Sequence, residues 1–398
     1  MALQLNSNKK IIFINQVTGY LFTDIVNAFA SENDCTLYTG NIESTNVPLH
    51  KNVHVKKMIR YNRNVAIKRI FTWAIFSVQS FIKLLLQQKN TELFIVSNPP
   101  FAPLLGYFFH KLRGTKYHLL IYDVYPDVLV NFGMVKKNSF INQYWSRLNK
   151  KIYSKAETVF TLSQNMAVLI KNYASVRVDV IPNWAHTSFI QPIPKDKNSF
   201  ALKYDQAKKI SVIYSGNMGA THAVEKIADL ASAFKNDENF GFIAIGDGSK
   251  KTLIEERKRE MGLHNLLILP YQSTTVLPYS LACADIGIVT LSSGAEDLSV
   301  PSKTYNLLAA GVALLVIASP QSELANLVSV YQCGVHFQEN ETDKMIAFLN
   351  EMKKKPGALQ YMKENARQAS YHFTPANADL YKSRLKEEYV PELAKTFH

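Results

Sequence analysis

The sequence lacks the features of a disulfide-bonded, zinc-binding or membrane-spanning protein. Only three cysteines occur among its 398 residues, and none has the CxxC or CxxxH spacing of a metal site. The sequence therefore predicts neither a disulfide framework nor a zinc site, and it fits a reducing cytoplasm. The uncharged apolar run that begins at Ile70 is shorter than the roughly 20 residues needed to span a bilayer. The N-terminal residues also lack the order of a signal peptide.

Acidic residues are missing from one long stretch of the first half. Between Glu43 and Glu92 there are nine lysines and arginines but no aspartate or glutamate. An aromatic-rich apolar run follows Lys68 and Arg69, which is typical of a helix lying on an anionic membrane surface. We therefore predict membrane contact through residues 51–89, although a core helix preceded by a solvated basic loop fits the same pattern. A nucleic-acid interface is not predicted, because no nucleic-acid-binding motif accompanies the charge.

Alternating helix-like and strand-like segments predict an α/β protein with parallel sheets. A chain with 47% hydrophobic and 19% charged residues is globular, and its length allows two full cores. The predicted parts are a first domain over 1–184, a linker over 185–205, a second domain over 206–372 and a C-terminal helical segment over 373–398, which could return to the first domain. Two such domains facing a cleft favour a small-molecule site.

The predicted strands indicate where such a site would lie. In the first half they are residues 11–15, 53–58, 92–97, 117–122, 158–162 and 178–181. In the second half they are residues 210–215, 240–245, 266–269, 286–290, 312–318 and 334–337. Ligands of open α/β sheets bind at the carboxyl ends of the strands, so the loops that follow these strands are the candidates.

The most informative loop precedes a short helix predicted over 302–310. Ser299 or Ser302 is a candidate N-cap, and Gly311 is expected to end the helix in the left-handed conformation. Ser302, Lys303 and Thr304 would then lie at the positive end of the helix, where they could hold an anion such as a diphosphate. A capped helix that binds no ligand explains the same residues. The residues of the neighbouring loops are therefore needed to distinguish a ligand site from an ordinary capped helix.

Three further loops in the same half carry residues that can surround a nucleotide diphosphate. Glycines allow backbone N–H groups to approach phosphate oxygens, a lysine can meet an anion, and an aromatic ring can cradle a base. Each loop alone fits an ordinary strand–helix turn, and only their convergence on one sheet edge indicates a ligand. The residues are Gly216, Asn217, Gly219, Gly246, Gly248, Lys250, Pro270 and Tyr271, with Glu296 in a later acidic loop as a candidate sugar contact.

This ordered set of motifs resembles the family 4 glycosyltransferases, which have the two-domain GT-B fold. The resemblance covers nearly the whole chain and is strongest from Tyr214 to Ser319. Within this family, the chain is most similar to bacterial polysaccharide-assembly enzymes that transfer fucose, N-acetylfucosamine or related amino sugars. The shared motifs are a Gly-Asn-Met-Gly loop, a Gly-Asp-Gly turn, and Val-Pro-Ser-Lys followed by Asn-Leu-Leu-Ala-Ala-Gly. The resemblance implies two Rossmann-like domains, retention at the anomeric carbon, and no metal or other cofactor.

Two positions depart from the family pattern. The family has a Glu-x7-Glu pair whose second glutamate binds the donor ribose, and Leu298 and Asn306 stand at these positions here. Asn306 can hydrogen-bond a ribose hydroxyl, but more weakly than a charged acceptor does. The family's Arg and Lys after the first strand of the second domain are also absent. We hypothesise that Lys303 supplies the missing cation.

The first half contributes candidate residues for the acceptor. Asp123 and Asp127 lie in a Tyr-Asp-Val-Tyr-Pro-Asp motif that the subgroup shares, and they are expected to position the acceptor or act near the reacting hydroxyl. Both carboxylates could instead cap turns. Gly19 stands where the family brings a glycine-rich loop up to the sugar. The expected catalytic residues are Asp123 and Lys303.

Together these features predict a glycosyltransferase of cell-surface polysaccharide synthesis. It would move a hexosyl or deoxy-amino sugar from a UDP- or GDP-linked donor to a hydroxyl of a polyprenyl-diphosphate-linked saccharide. The expected location is cytoplasmic, peripheral on the inner face of the cell membrane. One alternative on the same fold is a sugar-nucleotide epimerase without membrane attachment. The lost glutamate pair also leaves open a non-catalytic, nucleotide-sugar-binding assembly subunit.

Overall fold

A computed structural model describes residues 9–43, 47–62, 66–219, 222–291 and 300–386. The chain divides into two compact units, each built from a parallel sheet and helices. Unit 1 comprises the described residues up to Pro182 and from Ala376 onward, and unit 2 comprises those from Asn183 to Pro375. Residues 185–205, which the sequence predicts as a linker, lie within unit 2. The described part of 373–398 contributes a helix to unit 1.

Unit 1 contains a seven-stranded parallel sheet and a two-stranded ribbon. The strands are β1 (Lys10–Ile14), β2 (Val17–Thr18), β3 (Asp34–Thr39), β4 (Asn41–Ile42), β5 (Val53–Lys57), β6 (Thr91–Val96), β7 (Tyr117–Leu120), β8 (Thr158–Thr161) and β9 (Val178–Val180). The sheet order is β5-β3-β1-β6-β7-β8-β9, and β2 pairs with β4. The sequence prediction missed β3, because its three polar residues, Asp34, Thr36 and Thr39, obscure a strand that is nevertheless almost entirely buried.

The helices of unit 1 include the last helix described in the chain. They are α1 (Tyr20–Ala30), α2 (Ala66–Leu85), α3 (Pro103–Arg113), α4 (Asp127–Asn131), α5 (Phe140–Tyr153), α6 (Gln164–Lys171) and α15 (Asn377–Lys386), numbered by their place in the chain. Tyr381 of α15 is buried, with its ring centroid 4.9 Å from that of Phe160 and 6.1 Å from that of Phe94. This aromatic contact with the sheet explains why α15 belongs to unit 1.

Unit 2 contains a six-stranded parallel sheet. The strands are β10 (Ile210–Asn217), β11 (Phe240–Asp247), β12 (Leu266–Leu269), β13 (Ile286–Thr290), β14 (Ala313–Ile317) and β15 (Gly334–Phe337), in the order β12-β11-β10-β13-β14-β15. The helices are α7 (Ser199–Lys203), α8 (Lys226–Ala233), α9 (Lys251–Met261), α10 (Leu277–Ala282), α11 (Lys303–Ala309), α12 (Glu323–Tyr331), α13 (Thr342–Lys354) and α14 (Pro356–Ser370). All six predicted strands are confirmed. However, β10 and β11 each extend two residues further, so Gly216 and Gly246 belong to strand ends.

The helix of the central motif, α11, covers seven residues and begins at Lys303. Ser302 occupies the N-cap position, but its φ of −62° is helical and its side chain makes no capping hydrogen bond, so the prediction of Ser302 as the cap is wrong. Ser299, the alternative cap, lies outside the described residues. Gly311 has a φ of +68°, which confirms the predicted left-handed end of the helix. Strand β14 follows almost at once and is buried along its whole length, as expected of a central parallel strand.

A buried ion cluster lies at the amino edge of the unit 2 sheet. Asp285, directly before β13, accepts hydrogen bonds from Ser211 N at 2.9 Å, from Lys363 Nζ at 2.8 Å and from Lys195 Nζ. Burial opposes ionisation of this carboxyl group, but the two ammonium groups hold its pKa below the usual value. The cluster ties the 3₁₀ turn Lys195–Lys197 and helix α14 to the start of β13.

We expect Asp285→Asn to lower the free energy of unfolding of unit 2 by about 3–5 kcal/mol, because it leaves two buried lysines without their counter-charge. Denaturant unfolding of the full chain at pH 7 measures this loss. The matched control is Asp205→Asn, since the Asp205 carboxylate is 88% exposed in its pair with Lys209 and should matter little. An equal effect of the two substitutions would contradict a structural role for the cluster.

Candidate functional site

The loops after β10 and β11 meet at the carboxyl edge of the unit 2 sheet, where two strand-end glycines pair with each other. Gly216 and Gly246 stand opposite one another in the β10–β11 register, and both have a φ of +148°. A Cβ on Gly246 would lie 1.9 Å from the carbonyl oxygen of Gly216. A Cβ on Gly248, whose φ is +151°, would lie 2.5 Å from the carbonyl carbon of Met218. The glycines therefore let two loop backbones lie directly against each other.

The side chain of Lys303 lies beside these glycines. A Cβ on Gly216 would stand only 3.2 Å from Lys303 Cδ, so the glycine leaves room for the lysine. The ammonium group lies 3.7 Å from the centroid of the Tyr214 ring, a cation–π contact. The Tyr214 hydroxyl donates to the carbonyl oxygen of Asn217 at 2.5 Å, which fixes the ring.

The Lys303 ammonium group is buried and has no hydrogen-bond partner in the described part of the chain. Burial lowers the pKa of this lysine to about 7. A buried cation without a counter-ion is costly, and an arriving anion would remove that cost. The site therefore has the electrostatic character of an anion-binding pocket.

Two hydroxyl groups near this lysine are also buried without a partner among the described residues. They belong to Thr304, the next residue in α11, and to Thr290, at the end of β13. The main-chain oxygen of Thr290 accepts a hydrogen bond from His222 Nδ1 at 2.9 Å. Burial, together with the charge of Lys303, lowers the pKa of His222 to about 4, so this histidine is neutral at physiological pH. Lys303 therefore provides the positive charge of this pocket.

Lys250, predicted as a second cation for the ligand, is already paired. Its ammonium group contacts both carboxylate oxygens of Glu225, at 2.9 and 3.1 Å, and donates to the carbonyl oxygen of His222 at 2.7 Å. These contacts join the start of α9 to the segment before α8. Within the described residues, Lys250 thus links two loops, and the carboxylate of Glu225 largely balances its charge.

The remaining predicted donor residues are more exposed. Asn217 ends β10, and its side-chain nitrogen would lie 2.9 Å from a Cβ on Gly219. Pro270 and Tyr271 follow β12 and are exposed, and Tyr271 is close enough to contribute to the raised pKa of Tyr214. Ser302 is exposed, Asn306 is partly buried on α11, and Glu296 lies outside the described residues.

The predicted acceptor residues all lie in unit 1. Asp123 follows β7 and makes no hydrogen bond or ion pair with the described residues, and burial raises the pKa of its carboxyl group to about 6. Asp127, at the start of α4, accepts a hydrogen bond from the Tyr173 hydroxyl at 2.5 Å, which indicates a structural role. Gly19 is the N-cap of α1, and a Cβ there would lie 3.3 Å from a carboxylate oxygen of Glu43.

Comparison with known proteins assigns a family to the second unit. Residues 195–369 match the family described as glycosyl transferases group 1. The chain is 27% identical over 312 residues to WbjE of Pseudomonas aeruginosa, which is assigned as a glycosyltransferase, and the match covers 74% of each chain. It is 28% identical over 275 residues to WcaI of Escherichia coli K12, which is assigned to colanic acid biosynthesis as a glycosyl transferase, and this match covers 67% of each chain.

Residues 195–369 are thus similar in sequence to a group 1 glycosyl transferase domain.

Solved structures show the fold of the whole chain. Sucrose-phosphate synthase from Thermosynechococcus elongatus superposes with a TM-score of 0.74 and 13% identity, covering 95% of this chain and 98% of that one. HepE of Anabaena in complex with UDP and glucose gives a TM-score of 0.72 and 13% identity, covering 95% and 99%. Such likeness at low identity shows the GT-B fold, which the sequence resemblance predicted.

Tyr214 and Thr290, which lie at this candidate site, are absent from the predicted site residues. Tyr214 lies in an apolar strand, where the sequence gives no reason to separate it from a core residue. Thr290 ends β13, and its position at the carboxyl edge was the only available signal. Among the described residues, no three His, Cys, Asp or Glu side chains are grouped so that they could hold a metal ion.

Helix α2 of unit 1 differs from an ordinary surface helix in the residues that it exposes. Its buried stripe alternates the polar residues Thr72 and Ser80 with the apolar residues Phe76 and Leu84. Its exposed stripe is apolar and consists of Ile67, Ile70, Phe71, Ala74, Val78, Ile82 and Leu85. Surface helices normally direct their apolar stripe inward. No described helix of the chain is both long enough and apolar enough to cross a bilayer.

We expect Gly246→Ala to separate the ends of β10 and β11 in the transferase domain and to lower its stability by about 1–3 kcal/mol, because alanine disfavours this backbone conformation. Thermal unfolding of the purified chain checks this. Gly357→Ala is the matched control, because a Cβ there meets nothing within 4 Å. Equal melting temperatures of the two variants would show that the close approach of the loops is unimportant.

Proposed function

We propose that this protein transfers a sugar from a UDP- or GDP-linked donor to a hydroxyl of a lipid-linked saccharide during cell-surface polysaccharide synthesis. The observation that carries the proposal is the buried, unpartnered ammonium group of Lys303 at the carboxyl edge of the unit 2 sheet. Two similar proteins support the proposal, because HepE was crystallised with UDP and WcaI is assigned to colanic acid biosynthesis. The transferred sugar in this proposal is a hexosyl or deoxy-amino sugar.

The site chemistry follows from where charge builds up during the transfer. As the glycosidic bond of the donor breaks, negative charge grows on the departing nucleotide diphosphate. A preorganised cation in a site closed to water stabilises that charge strongly. Lys303 supplies the cation, Thr304 and Thr290 supply hydroxyl donors, and the loops at Gly216 and Gly246 allow close approach of their backbones. In this proposal these groups act without a metal ion, and the anomeric configuration is retained.

Donor positioning differs from the family pattern at the ribose. Asn306, in α11, takes the place of the ribose-binding glutamate in the proposal, and Tyr271 lies where a base could stack. A neutral amide forms a weaker hydrogen bond than a carboxylate. More of the donor affinity therefore rests on the contact between Lys303 and the diphosphate. Asp123 in unit 1, with its raised pKa, is the proposed residue for positioning the acceptor hydroxyl.

The acceptor proposed here is anchored in a membrane, and residues 51–89 are the proposed contact with an anionic membrane surface. The exposed apolar stripe of α2 supports this part of the proposal, because contact between apolar side chains and water is unfavourable. The basic residues of the same stretch add attraction of about 1 kcal/mol each to an anionic surface. The protein would accordingly act at the cytoplasmic face of the membrane as a peripheral enzyme.

We expect the affinity for UDP to fall about tenfold per pH unit above pH 7. Lys303 has a lowered pKa of about 7 in the free protein, so above this pH the amine is neutral and must take up a proton when the diphosphate binds. Below pH 7 the ammonium form already exists and the dependence levels off. Calorimetric titration between pH 7 and 9 measures this, in a range where phosphate groups, with a pKa of about 6, are already ionised.

The control for this titration is Lys303→Arg, which stays charged throughout the range and should remove the slope. Lys303→Met should weaken UDP binding at pH 6.5 by about tenfold or more, since a charge-assisted hydrogen bond is lost. If Lys303→Met binds UDP as tightly as the native chain, the proposed donor site is wrong.

We expect Val78→Glu to weaken binding to phosphatidylglycerol vesicles about tenfold, because burial of one valine contributes about 1.5 kcal/mol. Vesicle co-sedimentation measures this. Val330→Glu on α12 is the matched control, because Val330 is 64% exposed, close to the 57% of Val78, but lies in unit 2. If the native chain does not bind these vesicles, or if both substitutions weaken vesicle binding equally, α2 is not the membrane contact.

A further inference from the structure

The carboxyl edge of the unit 1 sheet contains buried polar side chains that the protein itself does not satisfy. The residues that follow β1 are Asn15, which is 2% exposed, and Gln16, which is fully buried. Their side-chain oxygens have no hydrogen-bond partner among the described residues. Gln16 Nε2 donates to the carbonyl oxygen of Thr72 at 3.0 Å, which holds the beginning of α2 at this edge. Strand β1 pairs with both β3 and β6, so this edge is where the order of the sheet reverses.

The first turns of α2 bring an arginine and two aromatic rings to this edge. Arg69 Cζ lies 5.5 Å from the centroid of the Trp73 ring. Tyr61 stacks on Trp73, with centroids 6.2 Å apart and an interplanar angle of 9°. Arg69 Nε and Trp73 Nε1 are both buried and have no hydrogen-bond partner within the described residues. Two N–H donors thus stand side by side without an acceptor.

The positive charge of Arg69 is not balanced by any described carboxylate. Among the described residues, Arg69 forms no ion pair. Asp123 is at the same edge, but it forms no ion pair with Arg69 among the described residues. Both charged groups are close enough to Tyr125 to affect the pKa of its hydroxyl group. A planar guanidinium with free N–H groups suits the oxygens of a phosphate.

We propose that Arg69, together with Tyr61 and Trp73, binds the diphosphate group of the acceptor at the carboxyl edge of the unit 1 sheet. This inference rests on the proposed function, because it assumes an acceptor that carries a diphosphate. The buried oxygens of Asn15 and Gln16 are then acceptors for hydroxyl groups of the attached saccharide. The exposed apolar stripe of α2 includes Ile70 and Phe71, next to Arg69, and provides a surface for the hydrocarbon chain.

The test is calorimetric titration of the full chain with farnesyl diphosphate, with and without saturating UDP to occupy the unit 2 site. Arg69→Gln should weaken this binding about tenfold or more, because the charge-assisted bonds to phosphate are lost. Lys68→Gln is the matched control: it removes the same charge from the neighbouring, exposed residue and should change the affinity by about twofold or less. Arg69→Lys keeps the charge without the planar fork, so it should give an intermediate affinity.

The outcomes separate this inference from the donor-site proposal. UDP should bind to Arg69→Gln as it does to the native chain, and an unchanged thermal unfolding curve of the full chain shows that the variant is folded. The Arg69 site is wrong, while the donor site stands, if UDP binds but farnesyl diphosphate does not. The same conclusion follows if Arg69→Gln and Lys68→Gln weaken the binding of farnesyl diphosphate equally. If farnesyl diphosphate binds through Arg69 but UDP does not bind, the donor site is wrong while the Arg69 site stands.

A further arm distinguishes an acceptor diphosphate from the headgroups of the membrane. Arg69→Gln and Lys68→Gln should reduce co-sedimentation with phosphatidylglycerol vesicles to the same small extent. If Arg69→Gln alone abolishes vesicle binding and free farnesyl diphosphate does not bind, Arg69 is a lipid headgroup contact and the inference is overturned.

Discussion

The candidate site of unit 2 depends on how the buried ammonium group of Lys303 is held. Lys303 Nζ lies over the face of the Tyr214 ring and has no hydrogen-bond partner among the described residues. The ring face provides only part of the stabilisation that water would give, which explains the lowered pKa of this lysine. Gly216 leaves room for the Lys303 side chain, and His222 is close enough for this charge to help lower its pKa. The hydroxyl groups of Thr304, the next residue in α11, and of Thr290, whose main-chain oxygen bonds to His222, are also buried without a partner among the described residues. The arrangement is understandable as a site prepared for an anionic ligand.

The two units carry different kinds of unsatisfied surface. Unit 2 has a small polar pocket at its sheet edge, whereas unit 1 has an apolar helix face and an excess of basic residues. Between Glu43 and Glu92 the chain contains no acid at all, so the arginine at the start of α2 has no local counter-charge in the sequence. Both observations fit a division of work in which one unit holds a soluble donor and the other a membrane-anchored acceptor.

Much of the fold was predictable because the parallel strands are buried on both faces and therefore apolar. All six strands of unit 2 follow from this pattern, and Gly311 could be recognised as a helix end because only glycine adopts its conformation easily. β3 was missed since its polar residues face other chain segments. The ion pairs of Lys250 with Glu225 and of Asp285 with Lys195 and Lys363 could not be predicted, because their partners come from distant parts of the chain. The hydrogen bond between Asp127 and Tyr173 was hidden for the same reason. The sequence thus predicts the candidate loops, while only the structure shows that Lys303, and not Lys250, has no hydrogen-bond partner among the described residues.

The most direct test of the account is an NMR titration of the Lys303 side-chain amine in the free chain and with bound UDP, assigned by comparison with Lys303→Arg. The account predicts a pKa near 7 in the free protein and a marked upward shift when UDP binds. A Lys303 amine that titrates near the ordinary value of 10.5 in the free protein, or one whose pKa does not respond to UDP, would contradict it.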